Sequence, residues 1–255
     1  MSAKVKCEAA ILAQNKIAEG IYSMWLKAPQ IAELARPGQF IVLYSDDKSR
    51  MLPRPISLCE IDKNEGRLHI VYRVAGAGTK EFSEKKQGET IEIMGPAGNG
   101  FDRKEGRVVV MGGGIGIPPM LGLAESFSGE VTAVLGYRSE QFLREEFEKT
   151  AEVYVATEDG SDGIKGNVLD VMKQENIPAD IIYACGPTPM LRAIKEYAEE
   201  RDIECYLSLE EKMACGIGAC LACVCKSKDK DEHSQVNNKR VCKEGPVFLS
   251  KEVTL

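Results

Sequence analysis

The sequence predicts a multidomain β plus α/β protein: an antiparallel β-barrel over residues 1–103, a parallel-sheet α/β unit over 104–208 and a small cysteine-bearing unit over 209–255. Three observations predict this. The first hundred residues are short β-branched and aromatic runs punctuated by Gly, Pro, Asp and Asn. From about Arg107 strand-like and helix-like segments alternate, the pattern of a parallel sheet with helices on both faces. Beyond Glu211 come a dense cysteine cluster and a polar stretch with no apolar face to bury.

In chain order, KVKCEAAILAQN, IYSMWLKA, QFIVLYS, RLHIVYRVA and ETIEIMGPAG are the expected barrel strands. LPRPISLCEID is expected to end one barrel strand and begin the next, and a helix is expected over Thr79–Lys86 after a Gly-Ala-Gly turn. RVVVMGGG then reads as a buried strand running into glycines, with PPMLGLAESF helical. The strands VTAVLGYRS, EVYVATEDG, DIIYACGP and ECYLSLE follow, separated by helical QFLREEFEK, NVLDVMKQE and MLRAIKEYAEER. SKDKDEHSQVNNKR reads as an exposed loop or hairpin tip.

Composition narrows the function classes. A formal net charge of −6 argues against a nucleic-acid binder, which needs a basic surface for phosphates. No apolar run approaches the roughly 18 residues of a membrane span, and MSAKVKCEAAILAQNK lacks the apolar core of a signal peptide. A cytoplasmic location is expected, where thiols stay reduced. Five of the nine cysteines fall between Cys205 and Cys225, so metal binding outweighs disulfide stapling.

Met213–Cys225 reads MACGIGACLACVC, with the spacing Cys215-x4-Cys220-x2-Cys223 and Cys242 after a further eighteen intervening residues. A plant-type [2Fe–2S] cluster takes four thiolates in the pattern C-x4-C-x2-C followed by a distant cysteine. Gly216 and Gly218 suit a loop wrapped tightly around such a cluster. Zinc would more naturally use two CxxC pairs, and only Cys220 and Cys223 form one. Cys205 and Cys225 read as small buried residues.

Two segments point to a flavin. In the first, Arg54 offers a positive fork for a pyrophosphate, Pro55 stiffens the backbone, and Ser57 can hydrogen-bond an isoalloxazine edge. In the second, VYRVAGAGTKEFS, Gly76 and Gly78 allow close backbone approach, and a helix opening at Thr79 turns N–H groups toward a phosphate. A turn with a capped helix is the bland reading of either alone.

RVVVMGGGIGIPPM suits a dinucleotide pyrophosphate at a helix N-terminus through Gly114 and Gly116. It departs from G-x-G-x-x-G, with Pro119 in place of the third glycine. YACGPTPM sets Cys185, Gly186 and Pro187 at a strand's carboxyl edge, where parallel sheets bind ligands. Arg138 could reach a 2′-phosphate, with no acidic residue evident beside it for a ribose diol. His69 and His233 read as bystanders, which fits chemistry carried by cofactors.

Taken together, RPIS, the Gly-Thr helix start, GGGIGIPPM, CGPTPM and CGIGAC-x2-C…C resemble the ferredoxin–NADP reductase superfamily along essentially the whole chain, in the same motif order. Within it the chain is most similar to the family of electron-transfer subunits of type B dihydroorotate dehydrogenases. The resemblance implies an FAD-binding barrel, an NAD-binding α/β domain and a [2Fe–2S] domain. Arg54, Pro55, Ile56 and Ser57 would match the flavin motif, Val71, Tyr72, Arg73, Gly78 and Thr79 its further contacts, and Cys215, Cys220, Cys223 and Cys242 the cluster ligands. It also implies NAD as diffusible co-substrate and an FMN-bearing catalytic subunit that oxidises dihydroorotate to orotate in pyrimidine biosynthesis, in a heterotetramer of two copies of each. No base or pocket for an organic substrate is evident in the sequence, in keeping with such a partner. Two other readings stay open: a diaphorase subunit of a hydrogenase, sulfite reductase or ferredoxin–NAD(P) transhydrogenase, and a zinc-stabilised nucleotide-binding module without redox chemistry.

Overall fold

A computed structural model describes residues 4–230 and 235–255; His233 lies outside the described residues. The barrel is built from β1 (Val5–Ala18), β2 (Ile21–Lys27), β3 (Phe40–Leu43), β4 (Arg54–Asp62), β5 (Arg67–Arg73) and β6 (Thr90–Ala97). They close in the order β1-β2-β5-β4-β3-β6, each strand antiparallel to both of its neighbours. Its interior is filled by alternate residues such as Met24, Leu26, Ile41, Leu43, Leu68 and Ile70. The short helix α1 (Pro29–Leu34) covers one end with Ile31 and Ala32.

Within LPRPISLCEID, the residues RPISLCEID form one strand, β4, rather than the junction of two. Its first half is bonded on one side only: Arg54–Ser57 pair with β3, while the pairing with β5 begins at Leu58. Pro55 can therefore lie in a strand, because on its open side no partner needs its missing N–H. The far end of β5 does the same, since Val71, Tyr72 and Arg73 pair with β2 and have no partner on β4. The two antiparallel strands thus splay apart at one end of the barrel and leave a cleft in its wall.

The helix expected at Thr79–Lys86 runs instead from Ala77 to Glu84 as α2. The Thr79 hydroxyl accepts the N–H groups of Ala75 and Gly76 at 2.9 and 3.2 Å, so it closes the preceding turn from inside the helix.

The second unit alternates β7 (Val108–Gly113), α3 (Ile117–Glu125), β8 (Val131–Tyr137), α4 (Arg144–Phe147), β9 (Glu152–Thr157), β10 (Ile164–Lys165), α5 (Val168–Gln174), β11 (Ile181–Cys185), α6 (Thr188–Glu200) and β12 (Glu204–Ser208). The parallel order is β10-β9-β8-β7-β11-β12. Alternate residues of β7 serve opposite faces: Val109 and Met111 pack toward α5 and α6, Val108 and Val110 toward α3 and α4. The helix expected over QFLREEFEK shrinks to the single turn of α4. Leu143 stands before it at φ +62°, and the Tyr137 hydroxyl donates to Phe142 O at 2.8 Å, holding that stretch in a turn.

The C-terminal segment forms the hairpin β13 (Val224–Ser227) and β14 (Asn238–Arg240), then β15 (Val247–Leu249) and β16 (Val253–Thr254). β15 adds an antiparallel edge to the parallel sheet against β12, and β16 pairs with β13. The Asn99 amide fastens this segment to the end of the barrel: it donates to Glu244 O and Val247 O at 3.0 and 2.7 Å and accepts from Val247 N at 3.1 Å. Each such bond contributes about 1 kcal/mol net. Among the described residues no helix is long and apolar enough to cross a membrane.

Candidate functional site

The splayed edges of β4 and β5 expose backbone N–H and C=O groups of Arg54–Ser57 and Val71–Arg73 to whatever lies in the cleft. Side chains there divide sharply. Tyr72 is 1% exposed and its hydroxyl donates to Gln14 Oε1 at 3.0 Å inside the barrel, so burial pushes its pKa well up. Val71 is likewise packed in a core, against the α3 side. Arg54, Ile56 and Ser57 remain part-exposed, and Arg73 is exposed.

Arg54 and α2 meet in space across some twenty residues of chain. A Cβ at Gly78 would stand 2.5 Å from Arg54 Nε and 2.7 Å from its Cζ, so the guanidinium lies flat on the first turn of α2. Positive charge and the helix N-terminus therefore share one end of the cleft, an anion-binding arrangement.

On the parallel sheet, β7 and β11 are adjacent and their following helices pass to opposite faces, which makes this the topological switch point. The two glycine-bearing loops touch there. A Cβ on Gly116 would stand 2.3 Å from Cys185 O and 2.6 Å from Gly186 N, and Gly113 packs on Met190 and Pro187. Cys185 turns its thiol inward, where burial pushes it up to about 12 despite a hydrogen bond with Ser208. What it offers the edge is backbone. Gly114 has φ +53°, and its nearest outside neighbour is Arg73 Nη2, 3.5 Å from where a Cβ would be. Arg73 thus reaches the glycine loop. A further barrel–sheet contact runs through Gly122 of α3, whose Cβ would stand 2.2 Å from Cys59 O on β4.

The cysteine loop closes on the same region. Gly216, at φ +64°, sits on Val42, with Cγ1 3.0 Å from where its Cβ would be, and Lys4 Nζ donates to Gly216 O at 3.2 Å. Val42 is the residue opposite Pro55 across β3 and β4. Cys215 Sγ accepts the N–H groups of Ile217 and Ala219 at 3.4 and 3.3 Å. Burial alone would raise this thiol, but those donors and the Cys220 contact outweigh it and hold Cys215 at about 6. Cys223 Sγ accepts from Cys242 N at 3.4 Å, and burial with the Cys223 contact pushes Cys242 up to about 12.

The four thiols therefore act on one another most directly as Cys215 with Cys220 and Cys223 with Cys242, with Cys215 also acting on Cys242. One tetrahedral zinc with sulfurs at about 2.3 Å would draw all four to within about 3.8 Å of one another. Among the described residues the only trio of such ligand atoms within 4.8 Å is Cys59, Glu60 and His69, elsewhere in the chain. Pairs fit a two-iron centre with two thiolates on each iron. Cys205 and Cys225 are both buried, which pushes them up to about 12 and about 11.

His69 is a satisfied interior residue, bonded to Glu60 at Nδ1 and to Ser23 Oγ at 2.7 Å through Nε2, and stacked on Trp25 at 4.6 Å. Arg138 is exposed at the end of β8. The acid not evident beside it in the sequence is Glu158, whose Oε2 lies 3.7 Å from Arg138 Nε. Glu158 follows a different strand, β9, so only the signal of an acid at a parallel strand's carboxyl end could have pointed to it.

Comparison with known proteins agrees with this arrangement. Residues 210–254 match the family model described as the iron-sulfur cluster binding domain of dihydroorotate dehydrogenase B. The dihydroorotate dehydrogenase B (NAD(+)) electron transfer subunit of Geobacillus sp. (strain WCH70) is 42% identical, the match covering 96% of this chain and 97% of that one. The same subunit of Fusobacterium nucleatum is also 42% identical, covering 98% and 100%. Among solved structures, the NADH-dependent reduced ferredoxin-NADP oxidoreductase studied for flavin-based electron bifurcation is 32% identical with a TM-score of 0.87, covering 96% of this chain and 89% of that one. Phthalate dioxygenase reductase, at 16% identity and a TM-score of 0.63 over 93% and 94%, shares the fold. The chain belongs to the family of dihydroorotate dehydrogenase B (NAD(+)) electron transfer subunits.

Proposed function

We infer that this chain carries electrons from the FMN of a dihydroorotate dehydrogenase catalytic subunit to NAD, as an oxidoreductase subunit in pyrimidine biosynthesis. The observation that carries the reading is the convergence on one cleft: Arg73 reaches the glycine loop at Gly114, and the cysteine loop seats on Val42 opposite Pro55. When bound, FAD exchanges a hydride with NAD and single electrons with a [2Fe–2S] cluster, which links it to the FMN of the partner.

The chain's own residues prepare each place. Arg54 and the first turn of α2, with Gly78 and Thr79, would hold the FAD pyrophosphate. The open edges of Pro55, Ile56 and Ser57 and of Val71, Tyr72 and Arg73 would meet the flavin ring through backbone groups and the Ser57 hydroxyl. Gly114 and Gly116 would admit the NAD pyrophosphate, and Cys185, Gly186 and Pro187 would border the nicotinamide with backbone rather than thiol. Cys215 and Cys220 would hold one iron, Cys223 and Cys242 the other. N–H groups aimed at Cys215 Sγ favour its anionic form, as a ligand thiolate requires. These roles follow the division into residues 1–103, 104–208 and 209–255.

An Arg54→Ala variant is expected to retain FAD about 10- to 100-fold more weakly, from the loss of charge-assisted hydrogen bonds. Flavin content after gel filtration, with the dissociation constant by flavin fluorescence, measures it.

A heterotetramer with two catalytic subunits in the cytoplasm is the proposed assembly. The test of the whole reading is anaerobic isolation with bound partners, followed by visible spectra. Dihydroorotate should bleach the flavin and iron–sulfur bands, and NAD should restore them. Bleaching by NADH but not by dihydroorotate would instead favour a ferredoxin-linked reductase, the reading suggested by the 32% identical solved structure.

A further inference from the structure

We propose that Glu158 sets this subunit's preference for NAD over NADP, by presenting a carboxylate to the adenosine ribose and engaging Arg138, which alone would welcome a 2′-phosphate. The proposal rests on the reading that the loop after β7 holds the dinucleotide.

In a sheet of this kind the adenosine half lies toward the strand beside the glycine-loop strand, and the residue that reads the 2′-position follows that strand, about twenty residues on. Here the neighbouring strand is β8, with Gly136 opposite Gly113, and the residue after it is Arg138. A guanidinium at that place favours a 2′-phosphate. An acid, which would accept hydrogen bonds from the 2′- and 3′-hydroxyls, is missing from β8 but supplied by β9. Tyr137 pairs with Thr157, and Glu158 N donates to Tyr137 O at 3.2 Å, so Arg138 and Glu158 leave the carboxyl edge side by side.

The neighbouring carboxylates are committed elsewhere. Glu140 accepts the Glu19 N–H, Asp159 caps its own turn at Ser161, and Asp162 is held by Gln141 and Arg144. Among the described residues the Glu158 carboxylate meets Arg138 alone, at 3.7 Å, beyond hydrogen-bond length. Both side chains are largely open, 90% exposed for Arg138 and 70% for Glu158. As a structural ion pair this would contribute almost nothing. At a ribose, by contrast, the same two groups oppose each other: a diol donates to Glu158, whereas a phosphate dianion is repelled by it and attracted only by Arg138.

The experiment compares the wild-type complex with Glu158→Gln, Arg138→Ala and the double variant. It measures kcat/KM for NADH and NADPH with a soluble dye as acceptor. Calorimetry then measures binding of AMP and of adenosine 2′,5′-bisphosphate, a readout that needs no turnover. Glu158→Gln should lower the NADH:NADPH preference about 10- to 100-fold, mainly through a lower KM for NADPH, and should tighten the bisphosphate by a similar factor. Adding Arg138→Ala should abolish that gain, because the phosphate then has no guanidinium to meet. The proposal is overturned if folded Glu158→Gln keeps the wild-type preference within about twofold, or if the gain survives in the double variant. A wild-type complex that binds neither AMP nor NADH would overturn it differently, by removing the nucleotide site on which it rests.

Discussion

A Cys223→Ser variant is expected to lose its iron–sulfur absorbance while keeping a bound flavin, whereas Cys225→Ser, two residues along, keeps both. The contrast is demanding because the two thiols look alike by burial, at 2% and 8% exposure. They differ in what they face. Cys223 Sγ accepts the Cys242 N–H and touches the Cys242 thiol, at the base of the β13–β14 hairpin. Cys225 lies within β13, opposite Lys239. Four ligands must be aimed at a shared point, and of these two thiols only Cys223 meets the segment that carries Cys242. Changes to mere outer partners of a metal site cost roughly 10- to 100-fold. Dihydroorotate-dependent NAD reduction by the Cys223→Ser complex should therefore fall by more than about 100-fold. NADH oxidation by a dye that accepts directly from flavin should persist. Iron content per chain, visible absorbance and the two assays together decide it; full iron content in Cys223→Ser would remove that residue from the ligand set.

Gly116→Ala is expected to be the most damaging single methyl addition near the nicotinamide side. Gly116 has φ −83° and ψ −7°, an ordinary helical conformation open to any residue, so backbone strain plays no part. The difficulty is contact. Its new methyl would stand 2.3 Å from Cys185 O, 2.4 Å from Cys185 C and 2.6 Å from Gly186 N, all backbone atoms of a core strand end. No flexible side chain can move aside, so the two loops must separate. Overpacking of this kind costs about 1–3 kcal/mol of stability. A displacement near 1 Å at a binding edge can cost about 100-fold in turnover efficiency. The prediction is a lower melting temperature and at least a tenfold rise in KM for NADH, roughly a tenth of that factor. Gly129→Ala, with nothing within 4 Å of its new methyl, is the control and should be near neutral. An unchanged KM in a folded Gly116→Ala protein would show that the loop contact does not position NAD.

Much of the architecture was legible because its signals are local. Alternation of β-branched residues, glycine turns and the β-to-α/β change of pattern each act within a few residues, and they predicted a barrel followed by a parallel sheet. Likewise the spacing of Cys215, Cys220 and Cys223 is a property of one loop, so the iron–sulfur reading needed no tertiary information. Local signals failed where distant chain overrode them. LPRPISLCEID reads as the junction of two strands, yet pairing on one side alone lets Pro55 lie inside the single strand β4. QFLREEFEK has a helical pattern, but the turn at Leu143 and the Tyr137 hydrogen bond leave only one turn of helix.

Tertiary structure alone decided which motifs share a site. Arg54 lies on Gly78, Gly116 on Cys185, Gly216 on Val42 and Glu158 beside Arg138. None of these pairs is joined by a turn, a cap or a periodicity. Each results from strand order and register, which are set by the global burial of apolar faces and by pairing between strands far apart in the chain. The sequence by itself determined the kinds of group this protein can hold; the register of the barrel and the order of the sheet determined that those groups meet.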